Sequence, residues 1–229
     1  RSDEMKAVEV LEDCAHSEIP DAMLMLAKCC ALGRGIARDT RRARKLISDA
    51  AKRGNEEAGL LMRLFNELRQ QHRVDLWKGI KGEYTIERVA LLLAVSSWES
   101  VELNQNAIGN EGAILVAEAL QSNYSLALLN LERNNIGESG AIALSKALKA
   151  NDGLFELNLG DNNIGDAGAI ALAEALTVND SLTKLDIRYN KVGEAGAIAL
   201  GKSLMTNITL VKLDLNMNTI GDNGANAMS

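Results

Sequence analysis

Side chains able to do covalent or metal chemistry are scarce in this chain. Its 229 residues include 3 cysteines and 2 histidines, at Cys14, Cys29, Cys30, His16 and His72. Cys29 and Cys30 are adjacent, whereas paired zinc ligands are usually separated by about two to four residues. Cys14 and His16 are two apart, a spacing that points them to different faces of a helix. Neither histidine has a Ser-His-Asp or Cys-His setting, and no phosphate loop or dinucleotide-binding glycine fingerprint is present. The three cysteines read as buried small apolar residues in a reducing, cytoplasmic protein. A disulfide in an exported parent and a reactive thiol are the alternatives. The chain therefore reads as no enzyme, with no cofactor, metal or small-molecule substrate. What remains is recognition by arginine, tyrosine and carboxylates.

Composition narrows the partners. Apolar residues make up 47%, charged residues 24% and aromatic residues 3%, with a formal net charge of -6. That is the make-up of a globular protein with a real core. The negative balance argues against a nucleic-acid partner, which calls for a basic surface. No apolar run approaches the roughly 20 residues needed to span a bilayer, so no membrane span is expected. The opening on Arg1 suggests a fragment, for which a missing leader stays open. Charge is uneven: residues 99–229 hold 8 basic and 16 acidic side chains, while residues 1–60 hold 11 of each. The run Arg38 to Lys45 is locally basic, either a solvated helix face or a contact for an acidic partner or lipid headgroups.

Recognition residues need a frame, and the C-terminal half supplies one. The segments Val101 to Asn106, Leu129 to Asn134, Leu157 to Asn162, Leu185 to Asn190 and Leu213 to Asn218 superpose at a period of 28 residues. Each is followed by Ile-Gly or Val-Gly, as at Ile164-Gly165, and by a second glycine, as at Gly168. In Leu154-x-x-Leu157-x-Leu159 the alternation predicts a short strand with both later leucines on one face. Asn162 sits where the chain leaves that strand. A buried asparagine there can satisfy turn backbone, and its equivalents would stack into a ladder. The second glycine is expected just before a helix that buries Ala169, Leu172, Ala173 and Leu176. One strand and one helix cannot bury their apolar faces alone, but a stack can. Glu118, Lys146, Glu174 and Lys202 alternate in sign on the outer helix face and read as mild surface neutralisation.

The pattern LxxLxLxxN followed by x-I-G-x-x-G-A-x-A-L-A-x-A-L resembles the leucine-rich repeat of the ribonuclease-inhibitor class. The same repeat type occurs in nucleotide-binding oligomerisation-domain receptors and Ran GTPase-activating proteins. The resemblance implies a horseshoe with parallel strands inside and helices outside. Four units and a partial fifth are expected over 99–229. The chain ends inside the fifth helix with no visible polar cap, a further sign of truncation.

The N-terminal half repeats at a different period. Ala22-x-x-x-Leu26-Ala27-x-x-Cys30-x-x-Gly33-x-Gly35-Ile36-x-x-Asp39-x-x-x-Ala43, then Ala50-Ala51-x-x-Gly54-x-x-x-Ala58, resembles the Sel-like repeat, a relative of the tetratricopeptide hairpin. Ala7/Ala43, Ala15/Ala51 and Ala22/Ala58 support a period of 36. Ala27 and Cys30 depart from the family's glycine and aromatic residue. Gly33 and Gly35 fit a turn with positive φ, and Asp39 fits a helix cap. Helices are expected over 4–16, in a hairpin over 22–57, and over 58–70. The expected organisation is therefore 1–68 Sel-like helical repeats, 69–98 linker and capping helix, and 99–229 leucine-rich repeats. Overall this is an α/β repeat fold: an α-solenoid followed by a horseshoe. In the linker, Trp77 and Ile80 read as anchors, 84–98 reads as a helix over the open end, and Trp98 as a core residue. The connection fits either a continuous superhelix or a hinge.

The non-leucine strand positions would face the concave side. One column runs Glu102, Asn130, Asn158, Asp186, Asp214, and the next Asn104, Glu132, Gly160, Arg188, Asn216. A third runs Gln105, Arg133, Asp161, Tyr189, Met217. Arginine and tyrosine are favoured interface anchors, which selects Arg133, Arg188 and Tyr189 with Glu132, Asp161 and Asp186 as partner-binding residues. The bland alternative is that they are ordinary solvated side chains and a partner uses another part of a parent chain. The function expected is a non-catalytic scaffold for a protein partner. The resemblance also admits GTPase activation of the Ran type, or a sensor fragment whose activity lies outside the chain. The sequence does not fix the oligomeric state.

Overall fold

The computed structural model describes residues 3–68, 71–76, 78–82 and 84–228. Four helices come first: α1 Asp3–His16, α2 Pro20–Leu32, α3 Thr40–Lys52 and α4 Glu56–Leu68. Their boundaries follow local chemistry. Proline occupies the first position of α2, where its missing N–H costs nothing. Gly33 ends α2 in the left-handed region at φ 74°. The Asp39 carboxylate accepts the Arg42 backbone N–H at 2.8 Å and caps α3. Ala43, Ile47 and Ala50 put the apolar face of α3 into the core, and each helix packs on the next.

Strands and helices then alternate: β1 Arg73–Asp75, α5 Ile86–Val95, β2 Ser100–Glu102, α6 Gly109–Leu120, β3 Leu128–Asn130 and α7 Glu138–Leu148. The series continues with β4 Glu156–Asn158, α8 Gly165–Leu176, β5 Lys184–Asp186, α9 Glu194–Leu204, β6 Lys212–Asp214 and α10 Gly221–Ala227. Among the described residues the strands form one parallel sheet in the order β1 to β6. Register is uniform: Leu129, Leu157 and Leu185 are direct partners in line. Helices α5 to α10 make the second layer, each against its neighbour.

Buried asparagines hold the turns. Asn162 Oδ1 accepts Asn134 N–H at 3.0 Å and Ile136 N–H at 2.9 Å, and its Nδ2 donates to Leu131 O at 3.0 Å and Leu159 O at 2.9 Å. Asn134 and Asn190 do the same one unit away. This is the expected ladder. A second ladder was not anticipated. Asn123, Asn151, Asn179 and Asn207 follow the helices, and Asn151 Nδ2 donates to Leu120 O and Asn123 O, both at 2.7 Å. Its Oδ1 accepts Leu154 N–H at 2.9 Å. These residues also recur at 28, so the signal was present in the sequence.

Several expectations need correction. The second glycine lies inside the first turn of the helix rather than before it, as Gly168 in α8 shows. It is small because its own turn and the neighbouring helix both crowd it: a Cβ on Gly168 would collide with Ile164 Cγ2 and come within 2.8 Å of the Ala141 Cβ of the preceding helix. The segment read as linker contains β1, whose Val74 pairs with Val101. Only Cys30 is fully buried, while Cys14 and Cys29 are half-buried; burial pushes the Cys29 and Cys30 thiols up. Trp98 is core as expected, and its ring N–H donates to Leu68 O at 3.3 Å. Trp77 lies outside the described residues.

The two halves share one apolar core. Helix α5 packs on α2, α3 and α4, and α6 touches α2. Polar contacts cross the same seam: Arg88 grips both Glu57 oxygens at 2.9 and 2.5 Å, Arg34 meets Glu118 at 2.5 Å, and Arg38 bonds Gln121. Packing is thus continuous between the helices on the two sides of this seam. Glu118 is paired across the seam instead of neutralising its own helix row, and Glu174 pairs with Lys149 at 3.2 Å.

Candidate partner-binding face

The period-two geometry of each strand turns one leucine inward and its two flanking residues to the open face of the sheet. Leu157 is buried between partly exposed Glu156 and Asn158. Stacking in register converts these positions into columns about 4.8 Å apart per strand. The six expected recognition residues fall in these columns and the turns beside them, and most are joined in pairs.

Arg133 Nε donates to Asp161 Oδ2 at 2.7 Å across adjacent units. Arg188 lies between Glu132 and Asp186, at 3.4 Å from a carboxylate oxygen of each. It reaches Glu132, two units back, because Gly160 stands between them: a Cβ there would come within 3.2 Å of Arg188 Nε. Asn158 adds a donor to Glu132 at 3.2 Å. Asp186 Oδ1 also accepts the Arg188 N–H at 3.1 Å, closing a small turn. Burial pushes the Asp186 carboxyl up, and the Arg188 bonds and charge oppose that shift. Tyr189 has no part in these pairs and keeps 49% of its surface exposed.

Two features of this face were not legible beforehand. Gln105, Arg133, Asp161, Tyr189 and Met217 are all left-handed, with φ between 53° and 61°. Apart from Asp161, none is glycine, asparagine or aspartate, the residues that signal this conformation. A fourth column was also missed: Ser100, Leu128, Glu156, Lys184 and Lys212, the residues just before each inward side chain. Its alternation with the leucines was the available signal. Lys184 meets Glu156 at 2.5 Å. With Lys212, Asp186 and Asp214 they line a shallow depression of 170 Å³.

The arrangement is a curved lattice of partly exposed charges with aromatic and thioether side chains at one margin. It can offer paired hydrogen bonds and charge to a macromolecular surface. No group of three or more possible metal ligands converges among the described residues. No helix is long and apolar enough to cross a membrane among the described residues.

Comparison with known proteins agrees with this construction. Residues 99–117, 122–145, 154–173, 178–201 and 206–229 match the family model described as leucine-rich repeat. No curated protein matches the chain. Among solved structures, leiomodin-1 actin-binding site 2 superposes with a TM-score of 0.52 at 24% identity, covering 76% of this chain and 88% of that one. The tropomodulin C-terminal domain of Caenorhabditis elegans gives 0.50 at 13% identity, covering 76% and 89%. At such identities the likeness is one of fold. The region 99–229 of this chain is built from leucine-rich repeats.

Proposed function

We propose that the protein is a non-catalytic interaction scaffold whose concave sheet face binds a protein partner through Glu132, Arg133, Asp161, Asp186, Arg188 and Tyr189. The observation that carries this reading is the Glu132–Arg188–Asp186 cluster, which a glycine at position 160 leaves room for, beside an exposed tyrosine. Arginine held between two carboxylates is pre-oriented, and ordered side chains lose less freedom on binding. In this reading 1–68 are Sel-like helical repeats, 69–98 join and cap, and 99–229 are repeats of the ribonuclease-inhibitor class. The three free cysteines support a cytoplasmic setting.

Tagged protein and its Arg133→Glu/Arg188→Glu variant are compared in affinity capture, with purified actin as the first defined probe because one structural neighbour is named an actin-binding site. The reading expects a retained protein that the variant loses at least tenfold. Equal retention by both rejects the concave face. Phosphate release from Ran and other small GTPases stays at the intrinsic rate; acceleration would favour the GTPase-activating alternative.

A further inference from the structure

We propose that the outer face of α3 is a second, separate docking surface, and that its partner is an extended acidic protein segment. Helix α3 carries Arg41, Arg42, Arg44, Lys45 and Lys52 against one acid, Asp49, in a chain of net charge -6. Helical spacing puts Arg41, Lys45 and Lys52 in one row, with Arg44 beside it. The buried residues Ala43, Ile47 and Ala50 lie on the opposite side. The row is therefore the outermost surface of that hairpin.

A charged helix face is ordinarily just solvated. This one is arranged against its own helix. Arg41 stands in the first turn of the helix, where the macrodipole disfavours cations, and that turn contains no acid. Only the Asp39 cap offsets this. Arg41 and Lys45 are like charges at i, i+4, which repel. Nearby cations are neutralised internally: Arg42 by Glu12 at 2.9 Å, Arg53 by Glu18 at 2.5 Å and Lys52 by Asp49 at 3.4 Å. Arg44 lies over the Phe65 ring at 5.7 Å. Arg41 and Lys45 have no carboxylate partner among the described residues. Unfavourable charge without an internal partner is accounted for by an external one.

The chemistry selects the occupant. Stable membrane attachment combines charge with an apolar element, and no large apolar side chain of α3 is exposed. The unpaired Arg41 and Lys45 span about 6 Å at a rise of ~1.5 Å per residue, and Lys52, which a ligand would share with Asp49, extends the row to about 16 Å. An extended chain covers that in about five residues at ~3.3 Å each. The matching ligand is thus a short run of Asp or Glu in an extended segment.

The test is titration of the ¹⁵N-labelled chain with a peptide containing five consecutive glutamates. The proposal expects saturable amide shifts confined to α3 that weaken at least fivefold between 50 and 300 mM salt, on the order expected for screened surface charge. In Arg41→Glu/Lys45→Glu, with an unchanged circular dichroism spectrum, the shifts vanish. In Arg133→Glu/Arg188→Glu they persist, which separates this surface from the concave one. Shifts that map elsewhere, or survive the α3 reversal, overturn the proposal. So does sedimentation with vesicles of 80% phosphatidylcholine and 20% phosphatidylserine that the α3 reversal abolishes, since a lipid headgroup would then be the ligand.

Discussion

The helical N-terminal half and the strand–helix C-terminal half are both stacks, yet they treat their backbones differently. In α1 to α4 most peptide groups are satisfied within their own helix, and the joints are short. Successive helices need only apolar contact, supplied by Ala27, Ala31, Ala43, Ala50 and Ala58 with larger neighbours. A leucine-rich unit instead has a 12-residue helix such as α8 and a 3-residue strand such as β4. Nearly half of its 28-residue period is turn. Those turns are buried against adjacent units, so their N–H and C=O groups need partners that water cannot provide. Two rows of asparagine provide them. A repeat that folds its backbone into helix can be held by shape, whereas a repeat made of turns needs buried polar side chains.

This contrast can be broken by substitution, and the largest effect is expected in the ladders. Asn151→Ala or Asn162→Ala strands several buried donors and acceptors at once. Each unsatisfied group costs about 1–3 kcal/mol, so a loss of roughly 3 kcal/mol or more is expected in chemical denaturation. The helical half answers with a smaller number: Asp39→Ala removes one cap and costs about 1 kcal/mol. Equal losses from the two changes would erase the distinction.

Gly168→Ala comes next. The added methyl would meet Ile164 of its own turn and Ala141 of the neighbouring helix, and overpacking of this kind costs about 1–3 kcal/mol. At Gly54, where a Cβ meets nothing within 4 Å but φ is 89°, alanine introduces backbone strain rather than a clash between units. Gly168→Ala should therefore perturb amides of α7 and α8 together, and Gly54→Ala only its own turn.

Asp166 gives a moderate effect. Its carboxylate accepts Gly193 N–H at 2.7 Å and Gly196 N–H at 2.9 Å, so it caps α9 from the preceding unit. Asn110 does this for α7. Asp166→Ala is expected to lower stability by about 1 kcal/mol, with loss of exchange protection in the first turn of α9 rather than in α8.

The smallest effect belongs to the seam. The Arg88 guanidinium beside Glu57 holds its carboxyl below the usual carboxylate range. Stability from this pair is present above the unfolded carboxylate value of about 4.3 and is lost as pH falls through the lower folded value. Glu57→Gln should flatten that part of the acid limb while leaving neutral-pH stability within about 1 kcal/mol. An unchanged acid limb would remove Glu57 from the account.

Legibility in the sequence followed the same physics. The leucines, glycines and first asparagine row were readable because stacking allows few substitutes at those positions. The first unit was harder. Val74 and Leu76 stand 27 residues before Val101 and Leu103 rather than 28, and Gly79 occupies the asparagine position. Asn106 of the next unit still makes the ladder's usual bonds back to this turn, donating to Leu76 O at 2.8 Å and accepting Ile80 N–H at 2.9 Å. Without its own marker, β1 reads as linker. On the concave face the columns could be placed, but not the pairings. That Arg188 would choose Glu132 and Asp186 depends on rotamers and on an absent side chain at position 160, neither of which periodicity encodes.

Amide hydrogen exchange of Asn162→Ala against the parent chain tests the ladder most directly. The account predicts that Asn134 and Ile136, whose N–H groups donate to Asn162, lose protection by at least tenfold, while amides in α2 and α3 exchange as before. Unchanged protection at Asn134 and Ile136, or an equal loss across both halves, would contradict it.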